Sequence, residues 1–172
     1  MKAVAVVAPL PDTALRHRNL PLLLLEAREE ILSHFRGILN RHGVTEQQWR
    51  ILRVLHERGD LEPWQIADGC RISSPSLAGI LARMDATGMV RRRQSAVDQR
   101  RQTVSLTAAS KRQVAAMVPL VERQYRLLED AVGEDTIAAL YAVVDTALLR
   151  LRNASVASAL AATAPPDLSA TP

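Results

Sequence analysis

The segment 89–107, MVRRRQSAVDQRRQTVSLT, constrains this chain more than any other. It opens with a strand-like run over 89–94 that carries three consecutive arginines, Arg91, Arg92 and Arg93. It closes with a second run over 101–107, in which Thr103 and Val104 are β-branched. A polar connector bearing Asp98 and Arg100 lies between them. Two short strands around such a connector predict a β-hairpin, and this one has a basic tip. Arginine at a hairpin tip suits the DNA minor groove, whose negative potential attracts it.

The charge distribution points the same way. The formal net charge is +4, yet residues 71–101 alone hold seven arginines against Asp85 and Asp98. The rest of the chain therefore sums to −1. A basic stripe on a near-neutral body is the electrostatic footprint of a nucleic-acid site. The single cysteine, Cys70, excludes an intramolecular disulfide and fits a reducing cytoplasm. It reads as a small buried hydrophobe rather than a redox sensor. The apolar run over 3–10 is cut by Pro9 and Pro11 and is too short for a secretory signal. No stretch approaches a membrane span, so the chain reads as soluble and cytoplasmic, with no membrane partner.

The periodicity predicts six helices. Residues 1–19 read as an irregular arm. A first helix runs from Pro21 to about His42, with Leu24, Ala27, Ile31, His34 and Ile38 on one stripe. Gly43 ends it. Thr45 caps a second helix over about 46–58, with Gln48 at the capping-box position. Gly59-Asp60 breaks that helix, and Leu61 is placed to bridge to the hairpin. Pro63 opens a short third helix over 63–69. Serine caps the fourth at Ser73-Ser74-Pro75, which ends at Thr87 with Gly88 as a left-handed terminator. Thr107 caps a fifth helix over about 108–132, bent near Pro119. The sixth covers about 134–152, with Ile137, Leu140, Tyr141, Val144, Leu148 and Leu151 on one face. The Ala/Ser/Thr/Pro-rich tail over 153–172 reads as disordered.

The third and fourth helices have helix-turn-helix spacing. Ile66-Ala67 is followed by Cys70, Ile72, Leu77, Ile80-Leu81 and Met84, which form the packed side. Ser73, Ser74, Ser76, Gly79 and Arg83 face outward on the element that enters the major groove. Arg93, Asp98, Arg100 and Arg101 belong to the wing. The fold class is thus mainly α with a small β-wing: a winged helix-turn-helix. The spacing Asp98-x-Arg100-x-x-x-Val104-x-Leu106-Thr107 resembles the wing signature of the MarR family of bacterial transcription regulators. In that family the aspartate orients the arginine. The resemblance covers about residues 20–152. Within it, LLLLxARE (22–29), SHFRxILN (33–40) and TEQQWR (45–50) are similar to the regulators of homoprotocatechuate degradation. Relatives of that subgroup control catabolism of other aromatic acids. The fourth helix departs from the pattern at Leu77-Ala78-Gly79-Ile80, where many relatives carry a polar or basic residue, so the operator sequence does not transfer.

The resemblance implies a homodimer on a pseudo-palindromic double-stranded DNA operator, pairing through 20–42 and 108–152, with 45–107 as the DNA-binding lobe. It also implies a pocket for a small aromatic carboxylic acid, whose binding releases the DNA. Arg28, Ser33, His34, Trp49 and Arg50 are the residues that could line that pocket. Arginine offers a carboxylate two parallel bonds, His34 can donate to a hydroxyl or carboxylate, and Trp49 can stack on a ring. Each has a plainer reading. His34 could be a core or interface histidine, Arg50 an ion-pair partner, and Trp49 simple core packing. His17, His34, His42 and His56 have no metal-ligand spacing. No cofactor is expected. No paired carboxylates, nucleophile-base set or phosphate loop supports the rival reading, an enzyme of aromatic metabolism. The other alternative is a DNA-architectural protein without an effector.

Overall fold

A computed structural model describes residues 17–94 and 102–163, the side chains of 155–163 excepted. The chain divides into two compact units, Met1–Val121 and Glu122–Pro172. The first holds α1 (Leu20–Arg41), α2 (Glu46–Arg58), α3 (Pro63–Cys70), α4 (Ser74–Ala86), β1 (Val90–Gln94), β2 (Gln102–Leu106) and the start of α5 (Ala108–Val132). The second holds the rest of α5 and α6 (Glu134–Thr163).

The expected local signals set several of these ends. The Thr45–Gln48 capping box closes in both directions: the Gln48 N–H donates to Thr45 Oγ1 at 3.2 Å, and the Thr45 N–H donates to Gln48 Oε1 at 2.9 Å. Gly88 has φ +71° and ends the run after α4. Thr107 Oγ1 accepts from the Ser110 N–H at 3.1 Å and donates to the Gly88 carbonyl at 2.8 Å. One threonine thus starts α5 and pins the turn that follows α4.

β1 and β2 pair antiparallel, with Val90 opposite Leu106, Arg92 opposite Val104 and Gln94 opposite Gln102. Leu61 adds the expected bridge: it donates to the Val104 carbonyl at 3.1 Å and accepts from the Val104 N–H at 2.8 Å. The core of this unit joins Ile51 and Leu52 of α2, Ile66 of α3, Leu77, Leu81 and Met84 of α4, and Val90 and Val104 of the hairpin, all fully buried. Each such side chain contributes about 1.5–3 kcal/mol by leaving water. That packing holds α4 rigidly beside the strands.

The structure corrects four local expectations. Ser73 occupies the cap position of α4 but makes no capping bond; its hydroxyl donates to Ser76 Oγ at 2.9 Å instead. α3 reaches Cys70 and ends on Arg71, a left-handed non-glycine at φ 51°. The buried face of α1 is Phe35, Ile38 and Leu39, while Leu24 and His34 of the expected stripe are exposed. α5 carries Pro119 inside its span, where the proline has no N–H to give the Ala115 carbonyl. α6 runs to Thr163, beyond the expected end at 152. Alanine is the best helix former, and the 154–162 stretch is rich in it.

Exposed apolar side chains concentrate on α1 and α6. On α1 they are Leu20 and Leu22 to Leu25. On α6, Leu140, Tyr141, Leu148 and Leu151 of the expected face are exposed, whereas Ile137 is buried.

Candidate nucleic-acid interface and effector site

The α3–turn–α4 unit buries Ile66, Cys70, Ile72, Leu77, Ile80 and Met84. That packing leaves Ser73, Ser74, Ser76, Gly79 and Arg83 on the exposed side. The Arg83 guanidinium lies back along the helix, 3.6 Å from where a Cβ on Gly79 would stand. β1 follows at once and exposes Arg91, Arg92 and Arg93. Strand alternation sends Arg92 to one face of the hairpin and Arg91 with Arg93 to the other. Arg92 is fixed by two bonds to Gln102 Oε1, from Nε at 3.1 Å and from Nη2 at 2.9 Å. Arg91 and Arg93 instead border a concavity of about 290 Å³ with Lys111 and Asp60. Asp98, Arg100 and Arg101 lie outside the described residues.

The expected effector residues fall into two sets. Arg28 of α1 and Arg50 of α2 converge on one carboxylate, Glu46. Arg28 Nη2 donates to Glu46 Oε1, and Arg50 Nε lies 3.7 Å from the same oxygen. Trp49, half-buried, is the neighbour of Arg50 on α2. Ser33 and His34 are exposed on α1, and the Ser33 hydroxyl donates to the Glu30 carbonyl at 2.7 Å.

Arg50 has a second engagement that the sequence did not disclose. Its Nη1 donates to the Cys70 carbonyl at 2.7 Å, tying α2 to the last residue of α3. Its Nε is buried and finds no acceptor at bonding distance among the described residues. Burial pushes the Cys70 thiol above its ordinary pKa, with the charges of Arg50 and Arg58 pulling the other way. Sequence reasoning also missed Glu46, although its i,i+4 spacing to Arg50 was a legible signal. It missed Trp64 as well, an indole 66% exposed at the start of α3.

An exposed helix behind a tight turn, flanked by an arginine-bearing hairpin, defines the DNA-binding lobe of a winged helix-turn-helix regulator. The sequence pattern of the MarR family matches residues 42–101. The chain is 35% identical over 128 residues to the HTH-type transcriptional regulator FarR of Neisseria gonorrhoeae, covering 74% of this chain and 88% of FarR. It is 41% identical over 113 residues to the homoprotocatechuate degradative operon repressor of Escherichia coli, covering 66% of this chain and 76% of the repressor. The crystal structure of NadR in complex with 4-hydroxyphenylacetate superposes with a TM-score of 0.68 at 34% identity, covering 78% of this chain and 95% of NadR. The chain belongs to the MarR family. It is a transcriptional regulator of winged helix-turn-helix fold, not an enzyme.

Proposed function

We propose that this chain is a homodimeric repressor of an operon for aromatic or heteroaromatic acid catabolism, displaced from its operator by a small aromatic carboxylate. The observation that carries the DNA-binding part is the pairing of α4, which exposes Ser74, Ser76 and Arg83, with the arginines of β1 alongside. Two such lobes related by a two-fold axis would present their recognition helices about 34–36 Å apart. The exposed leucines of α1 and of α6 support pairing, since apolar surface on this scale normally marks an interface. Arg100 is assigned to the minor groove, in the role that the family's wing signature implies for it with Asp98, and Arg93 and Arg101 are assigned as further DNA contacts.

The effector reading rests on the aromatic-acid relatives and on the Arg28–Glu46–Arg50 cluster. Arg28 also pairs with Glu29, which takes Arg36 as well, so three arginines against two carboxylates leave one positive charge for an incoming acid. Arg50 with His34 is assigned to the polar end of the acid, Trp49 to its ring, and Ser33 to the remaining lining. The effector releases DNA only if it prefers the conformer that does not bind. A nuclease footprint on the DNA upstream of the chain's own coding region tests the repressor reading. A protected pseudo-palindrome is the expected result. Salt-dependent binding with no protected site would favour an architectural protein.

A further inference from the structure

Trp64 is one of only five aromatic residues in the chain, and it stands in solvent. Isolated exposed apolar residues are ordinary, but this one is oriented and placed. Its indole N–H donates to Glu62 Oε2 at 3.0 Å, which fixes the plane of the ring at the entry to α3. The ring lines a groove of about 420 Å³ whose other walls are Ser74, Leu77 and Ala78 of α4 and the Arg92–Gln102 pair of the hairpin.

This groove runs along the edge of the recognition helix, between it and the wing. One wall is apolar. The opposite wall holds a guanidinium already locked by two bonds through Nε and Nη2, with its Nη1 donors outside that pair. Ser74, the first residue of α4, adds a hydroxyl at the positive end of the helix. An occupant needs an apolar face and an anionic group side by side, and deoxyribose-phosphate has both. Building on the DNA-binding reading above, we infer that Trp64 and Arg92 form a clamp for the DNA sugar-phosphate backbone: the indole packs on a sugar and the guanidinium bonds the adjoining phosphate. Contacts of this kind fix register without reading bases. Among the described residues, Glu62 is the one acidic side chain in the groove, and its carboxylate is turned to the indole N–H.

The test uses the full chain and two short duplexes, one from the DNA upstream of its coding region and one of random sequence. Tryptophan emission of the unaltered protein should change on saturation with either duplex. That change should vanish in Trp64→Phe, which keeps most of the affinity through its own ring. Trp64→Ala should weaken both duplexes about tenfold, or about 1.4 kcal/mol, and leave their affinity ratio unchanged. Arg92→Ala should lower the slope of log affinity against log salt by about 0.9 for each phosphate that it no longer neutralises. Emission insensitive to Trp64→Phe, or Trp64→Ala binding within about twofold of the unaltered protein, overturns the clamp while leaving the DNA-binding reading intact. Loss of affinity for the upstream duplex alone would make Trp64 a base reader and also overturn it. A Trp64-dependent response to a hydroxylated aromatic acid in the absence of DNA would assign the groove to the effector instead. An unaltered protein that binds neither duplex defeats both readings together.

Discussion

Replacing Arg50 with alanine should destabilise the fold as well as disturb the effector site. The reason is the bond from Arg50 Nη1 to the Cys70 carbonyl at 2.7 Å. Cys70 is the last residue of α3 and is 3% exposed with the guanidinium in place, so truncation takes away the donor that holds its carbonyl. A charge-assisted hydrogen bond of this kind contributes about 1.5–3 kcal/mol. The side chain is partly exposed, and the Arg50–Glu46 approach at 3.7 Å adds little. A loss of about 2 kcal/mol is therefore expected, or about 4–8 °C in melting temperature for each kcal/mol in a small domain and half that in a larger one. Urea unfolding at fixed protein concentration measures it, since an oligomer's midpoint moves with concentration. The Arg50→Lys variant should recover only part of the loss, because a shorter side chain ending in a more strongly hydrated ammonium replaces the Nη1 donor. A stability for Arg50→Ala unchanged to within about 0.5 kcal/mol would refute the tie between α2 and α3 and return Arg50 to the effector alone.

Three further outcomes are expected. Gly79→Ala should stabilise the chain by about 1 kcal/mol, because a Cβ there meets nothing nearer than the Arg83 guanidinium at 3.6 Å; a loss of stability would mean that α4 needs the glycine for packing. Cys70 should react slowly with a thiol reagent until denaturant is added, since burial raises its pKa. Rapid labelling of the native protein at neutral pH would contradict that burial; the thiol's contribution to stability is complete below the ordinary thiol range and is lost as pH rises through the raised folded value. Deleting 134–172 should abolish the proposed dimer, because the exposed Leu140, Leu148 and Leu151 go with it, whereas a well-folded dimer lacking those residues in sedimentation analysis would refute pairing through α6.

Local chemistry was the legible part of this chain. The Thr45–Gln48 box, the Gly88 terminator, the Leu61 bridge and the Thr107 cap each depend on residues whose types dictate their own geometry. The sequence was less informative where the outcome depends on distant partners. Ser73 looked like a cap but found Ser76, while the reciprocal bonds between Glu62 and Gln65 at α3 went unread. The stripe on α1 was displaced because Phe35, rather than His34, meets the rest of the unit. The outward-facing set of α4 was readable, since helical periodicity alone separates Ser76, Gly79 and Arg83 from Leu77, Ile80 and Met84. The tie from Arg50 to Cys70 spans twenty positions in the chain, and no local rule predicts it.

The central claim is that this regulator lets go of DNA when it binds an aromatic carboxylate. Fluorescence anisotropy of a labelled duplex spanning the footprinted site measures that release directly. The bound complex is titrated with a hydroxylated phenylacetic acid and, separately, with its neutral amide. The acid should return the anisotropy to that of free duplex, and the amide should need about 10- to 150-fold more ligand to do so, the cost of forgoing one charge-assisted bond. A complex indifferent to the acid, or acid and amide acting at the same concentration, would contradict the account.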